Sequence, residues 1–202
     1  MERTFTMIYE NNIWGDNKNN NYKGSSGSGS KLNYNKNTYI PFLQKFINDN
    51  NIKTVVDLGC GDFLCGTSIY NNLDILYTGY DVYKNVIENN LNNNSTTKYE
   101  FIHLDFYNNK ERIKDGELCI LKDVLQHWSL DKINIFLQYI IESKKFKYIL
   151  IINCCHQLTD NIDILVGEFR PLSCDFLPLK KYNPIKLYNY DTKEVSLIQL
   201  NI

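Results

Sequence analysis

The chain has 202 residues, 43% hydrophobic and 22% charged, with a formal net charge of −1. Those values suit one substantial globular core and exclude wholesale disorder. They also argue against a broad nucleic-acid footprint, which a basic excess would announce. Six cysteines, at 60, 65, 119, 154, 155 and 174, form no C-x-x-C pair and have no histidine placed to complete a zinc site. They read as small hydrophobes of a reducing compartment. No apolar run approaches the ~18–20 residues of a membrane span, and the first residues lack a secretory layout. The expected location is the cytoplasm.

Residues 1–37 are rich in Asn, Gly and Ser, with Lys23-Gly24-Ser25-Ser26-Gly27-Ser28-Gly29-Ser30 at their centre. That composition suits a flexible segment. The aromatic and aliphatic residues before it, Ile8-Tyr9 and Ile13-Trp14, need a surface to cover. An arm folded over a single domain of residues 38–202 is therefore expected.

Tyr39–Asn50 carries a helical apolar stripe, with Pro41 in its first turn. Strands are predicted at 55–58, 75–80, 99–104, 118–121 and 148–152. Helices are predicted at 64–71, 86–91 and 130–143. This alternation specifies a mostly parallel, doubly wound sheet covered on both faces. Ile185–Tyr190 and Val195–Leu200 flank a turn at Asp191-Thr192-Lys193-Glu194 and read as a closing antiparallel hairpin. The fold class is thus α/β, Rossmann-like, with seven strands.

Four acids follow successive strands: Asp57, Asp81, Asp105 and Asp123. In an open parallel sheet, ligands bind beyond these carboxyl ends. Val55-Val56-Asp57-Leu58-Gly59-Cys60-Gly61-Asp62 is a buried strand passing into a glycine turn, where backbone can approach a ligand closely. Asp81 stands where an acid accepts hydrogen bonds from two ribose hydroxyls. The G-x-G-x-x-G fingerprint of dinucleotide sites lacks its last glycine, because Leu64 stands there. A single nucleoside with a short charged tail fits better.

These motifs, in this order over roughly residues 39–200, resemble the class I S-adenosylmethionine-dependent methyltransferases. Val55–Gly61 is similar to the first motif, Tyr77-Thr78-Gly79-Tyr80-Asp81-Val82 to the ribose-binding motif, and Phe101–Phe106 to the adenine-contacting motif. Leu118–Trp128 is similar to the fourth, beside the methyl donor. The resemblance implies S-adenosylmethionine as cofactor. Asp57, Gly59, Cys60 and Gly61 would lie at its methionine end. Asp81 and Val82 would lie at the ribose, Asp105 and Phe106 at the adenine, and Lys122 nearby. Phe63 replaces a glycine common in the first motif and is expected to narrow the pocket. The Trp-Gly and Gly-Ser-Gly-Ser arm resembles small bacterial and viral members, some of which accompany glycan-building enzymes. It implies a lid in which Trp14, Ser28, Gly29 and Ser30 cover the cofactor.

Asp123 and His127 share a helical face, so His127 is either a general base for an acceptor hydroxyl or a packing residue. His156, after the fifth strand, is a second base candidate, and His103 reads as structural. Arg170 either clamps an anionic acceptor group or anchors a loop. No compact acid cluster suggests a metal. The expected reaction is methyl transfer to a small-molecule or sugar acceptor, most simply at oxygen. RNA or protein methylation, or a noncatalytic cofactor-binding module, are the alternatives. Oligomeric state is not legible.

Overall fold

The computed structural model describes residues 1–17, 22–156 and 158–201. Strands β1 (Thr54–Leu58), β2 (Leu76–Asp81), β3 (Tyr99–His103), β4 (Gly116–Lys122), β5 (Phe146–Cys154), β6 (Ile185–Tyr190) and β7 (Lys193–Gln199) form one sheet. Its order is β3-β2-β1-β4-β5-β7-β6. The first five strands are parallel, and β7 runs antiparallel to both β5 and β6. β1 and β4 lie side by side with β2 and β5 on opposite flanks, so chain direction across the sheet reverses there. The crevice beyond the carboxyl ends of β1 and β4 is the expected ligand position.

The sheet carries a core on each face because its strands alternate. Val55, Leu118 and Ile120 face α3 (Tyr39–Asp49), α4 (Gly66–Tyr70) and α5 (Lys84–Asn94). Val56, Leu58, Cys119 and Leu121 face α6 (Leu130–Glu142) and the N-terminal helix α1 (Glu2–Glu10). β5 is buried over nearly its whole length, as a central parallel strand should be. The predicted strands are all present, shifted at their ends by a residue or two. α1 was not predicted. Its amphipathic spacing, with Phe5, Ile8 and Tyr9 buried, lies within residues whose composition was read as an arm.

Residues 22–30 are equally ordered against the domain. Tyr22 is buried, and Gly24 passes so close to the backbone of Tyr9 that any Cβ would collide with it. The one-turn helix α2 (Leu32–Asn35) then leads into α3. Asn35 is fully buried, and its amide donates to the carbonyls of Gly29 and Lys31 at 2.8 Å.

Candidate active site

The glycine turn after β1 forms the floor of the site. Gly59 and Gly61 have φ of +90° and +54°. A Cβ on Gly59 would fall onto Val124, and one on Gly61 onto Ser26. Phe63 also takes positive φ, +55°, which a bulky residue adopts only under constraint. The constraint is its ring, buried among Tyr70, Tyr77, Tyr99 and Phe101 at centroid distances of 4.9–6.2 Å. Gly66 gives the ring room, since any Cβ there would overlap it. Phe63 thus borders the site but points into the core, rather than projecting across the pocket as its size suggested.

Two carboxylates approach this turn from below. Asp81, at the end of β2, is buried and accepts from Gly61 N at 3.0 Å and Tyr83 N at 2.9 Å. Asp57 accepts from the Tyr77 hydroxyl at 3.0 Å. Burial raises its carboxyl to about 7, against the opposing pull of that hydrogen bond and of Lys122. It is a partly buried acid that makes no ion pair among the described residues.

The arm forms the roof. Ser26 Oγ accepts from Asp62 N at 2.9 Å and lies 2.9 Å from the Tyr9 hydroxyl. Ser26 N and Ser30 Oγ both donate to Asp62 Oδ2 at 3.3 Å. Trp14 sits over His127 with ring centroids 4.8 Å apart, and contacts Phe5 and Tyr9 at 5.9 and 5.6 Å. The enclosed space, about 1080 Å³ including its open mouth, is bounded by β1, β2, the β3 loop, the β4 loop and the arm.

The β4 loop supplies the remaining wall. Asp123 adopts φ of +60° and pairs with Lys122 at 2.8 Å and with buried Lys193. Burial opposes its ionisation, but the two lysines outweigh that and hold it at about 2. A short 3-10 turn, Leu125–His127, follows. His127 is buried, and its Nδ1 lies 2.9 Å from the Glu168 carbonyl, an acceptor only, so Nδ1 carries the proton. That leaves Nε2 unprotonated in the neutral ring, its lone pair 3.4 Å from the Gln126 side-chain NH₂. Burial pushes its pKa down, which keeps the ring neutral at pH 7.

No protein-family model matches the chain, and no curated protein sequence does. Solved structures match in fold. The methyltransferase domain of bacterial CtHen1 covers 84% of this chain and 100% of its own, at TM-score 0.61 and 14% identity. A putative O-methyltransferase from Nostoc punctiforme gives 0.59 at 12% identity, covering 83% of this chain and 57% of that one. Human N-acetylserotonin methyltransferase, solved with S-adenosylmethionine, gives 0.54 at 17% identity over 80% and 54%. The chain has the class I methyltransferase fold.

Within this methyltransferase fold, the pocket gathers most of the residues expected of it: Asp57, Gly59, Cys60, Gly61, Asp81, Val82, Asp105, Phe106, Lys122, Asp123, His127, Trp14 and Ser30. Several differ in detail. Asp105 accepts from Asn108 N at 3.1 Å and Asn108 Nδ2 at 2.7 Å, as a turn cap does, and from Glu2 N of the arm at 3.2 Å. Asp123 is paired to Lys122 and Lys193 and takes a left-handed backbone ahead of the 3-10 turn, so it does not share a helical face with His127. Gly29 lies outside the pocket lining and holds Lys122 Nζ through its carbonyl at 2.8 Å, while the Ser28 side chain is exposed.

His156 is exposed and outside the pocket lining, which leaves His127 as the base candidate. Arg170 does not face an acceptor. Its guanidinium turns inward and donates to the carbonyls of Leu125 at 3.1 Å and Trp128 at 2.9 Å.

Tyr9, Ser26 and Asp62 escaped the sequence reading. Asp62 was visible as a fifth acid beside the turn. Ser26 was hidden within a run of near-identical serines, which gives no sign of which one reaches the glycine turn.

Proposed function

We propose that this chain is an S-adenosylmethionine-dependent methyltransferase acting on a hydroxyl of a small-molecule or sugar acceptor. The observation that carries it is the pairing of two walls. Asp81 and the Gly59-Cys60-Gly61 turn suit a nucleoside with a charged tail, and a neutral histidine with an unprotonated Nε2 lines the same pocket.

The residues fit this cofactor on their own chemistry. Asp57 is a partly buried acid in the pocket lining that an ammonium group would complete. The Asp81 carboxylate has used only part of its accepting capacity on Gly61 and Tyr83, leaving room for ribose hydroxyls. When bound, the cofactor supplies an electrophilic methyl on a sulfonium centre. The protein's part is to hold the acceptor oxygen in line with that methyl, exclude water and take up the hydroxyl proton. Trp14 and the arm exclude water, and His127 Nε2 receives the proton.

O-transfer is supported by solved neighbours named as O-methyltransferases. A sugar or other small acceptor is supported by the near-neutral charge. Calorimetric titration with S-adenosylmethionine, then a labelled-methyl screen over nucleotide sugars, glycans and small phenols, tests both levels. No heat of binding at millimolar cofactor would remove the enzyme reading. Transfer confined to RNA or protein would replace the acceptor class.

A further inference from the structure

We infer that Arg170 is a positioning residue that fixes the tautomer and protonation state of His127, acting through the turn that carries it. This rests on the reading of His127 as the base, and the deciding measurement needs neither cofactor nor acceptor.

Arg170 is 5% exposed, and its two terminal nitrogens bond main-chain carbonyls on either side of His127, those of Leu125 and Trp128. Its Nε finds no partner, and no ion pair joins it to a carboxylate among the described residues. Buried arginines normally meet an acid, because a desolvated charge is costly unless paired. Here the carbonyls satisfy the donors without cancelling the charge. With no paired acid, the guanidinium's positive charge acts on the nearby imidazole, and Asp163 is the carboxylate that partly counters it.

The same segment grips the histidine directly. Glu168 O accepts from His127 Nδ1, Gly167 N donates to His127 O at 2.9 Å, and Arg170 N donates to Gln126 O at 3.2 Å. Gln126 Oε1 accepts from Cys154 N at 2.9 Å, which turns its NH₂ toward His127 Nε2 at 3.4 Å. Both contacts demand the same tautomer, with hydrogen on Nδ1 and a lone pair on Nε2. A general base needs that form.

The groups facing His127 divide by sign. Asp123 favours the imidazolium. Lys193 and Arg170 oppose it, as does burial beneath Trp14 and beside Phe169, whose ring lies 5.9 Å away. The Glu168 carbonyl favours a proton on Nδ1 in either state. Lys122 and Lys193 are both paired to Asp123, and Arg170 is the cation bonded to the turn that carries His127.

The test is long-range ¹H–¹⁵N correlation on histidine-labelled full chain through a pH titration, with His127 assigned by its loss in His127→Gln. The wild type should show Nδ1–H and a bare Nε2 at neutral pH, titrating below the ordinary histidine range. Arg170→Met should raise that midpoint and mix the tautomers. Arg170→Lys should keep the midpoint low while losing the double carbonyl grip.

A role in folding alone predicts that both variants lower Tm alike and leave the His127 titration and tautomer as in wild type. That result overturns the inference. Should Arg170→Met not fold, an Nε2–H tautomer in the wild type, or a raised midpoint in Arg170→Lys, overturns it equally. Cofactor calorimetry on the same samples separates the readings: failure to bind defeats the proposed function and leaves the histidine result standing.

Discussion

Replacing Asp81 by alanine tests the cofactor site most directly, because the structure separates its two effects. In the free protein the carboxylate holds the glycine turn by accepting from Gly61 N and Tyr83 N. Removing it orphans two buried amides, at ~1–3 kcal/mol each, and each kcal/mol lowers Tm by ~2–4 °C in a chain of this size. The proposed ribose contacts are separate: two hydrogen bonds to an ionised group are worth ~3–6 kcal/mol together, a loss of ~10²–10⁴-fold in affinity.

Asp81→Asn removes the charge while its amide oxygen can still accept from one of the two amides. It should therefore lose affinity with a smaller fall in Tm. The assay is calorimetry with S-adenosylmethionine and with 5′-methylthioadenosine, beside thermal melts of both variants. The nucleoside analogue has the ribose but no amino-acid tail, so its affinity should fall by a similar factor. Binding within threefold of wild type in folded Asp81→Ala would refute the ribose assignment. Loss confined to the full cofactor would move Asp81 to the methionine end.

His127→Ala should cut turnover on a hydroxyl acceptor ~10²-fold or more while cofactor affinity holds, read by a labelled-methyl assay beside calorimetry. Asp57 predicts a pH effect. Its carboxyl titrates at about 7 in the free protein and must ionise to receive an ammonium, so cofactor affinity should rise with pH up to about 7 and then level. Asp57→Asn should flatten that rise. The same raised pKa stabilises the free fold below the unfolded value and loses that contribution as pH climbs toward 7, so melts of free protein should favour mildly acidic buffer. Phe63→Gly should relieve the left-handed backbone yet cost ~2–4 kcal/mol net, because the lost ring packing outweighs ~1 kcal/mol of strain. Its Tm should fall while cofactor binding survives.

The sheet was legible because each strand is a short apolar run ending at an acid or a turn, and the intervening helices carry their stripes at helical spacing. The candidate site was legible where backbone chemistry dictates residue type. A turn that crowds Val124 and Ser26 admits only glycine at 59 and 61, and a nucleoside site calls for an acid at the end of β2. Side chains whose meaning depends on direction were not legible. Arg170 and Asp123 are charged residues near a site in either reading, and only the fold shows one turned to carbonyls and the other locked between lysines. Phe63 looked like an obstruction because the sequence does not reveal that its backbone takes φ of +55° and carries the ring into the core.

The expected arm shows what composition leaves out for residues 1–17 and 22–37. Gly, Ser and Asn are flexible by themselves, yet here small size is what lets the chain lie directly on the glycine turn. Gly24 fits against Tyr9 backbone, and Ser26 occupies the space above Gly61 that any side chain there would need. The two segments are complementary: the first-motif glycines leave a groove, and the arm's small residues fill it. The same arm places Trp14 against His127, while Gly167, in the strap that fixes that histidine, packs closely against Thr4 and Ile8 of α1. Roof, base and strap therefore form one contiguous unit. A change that detaches the arm should disturb both the floor of the pocket and the wall that carries His127.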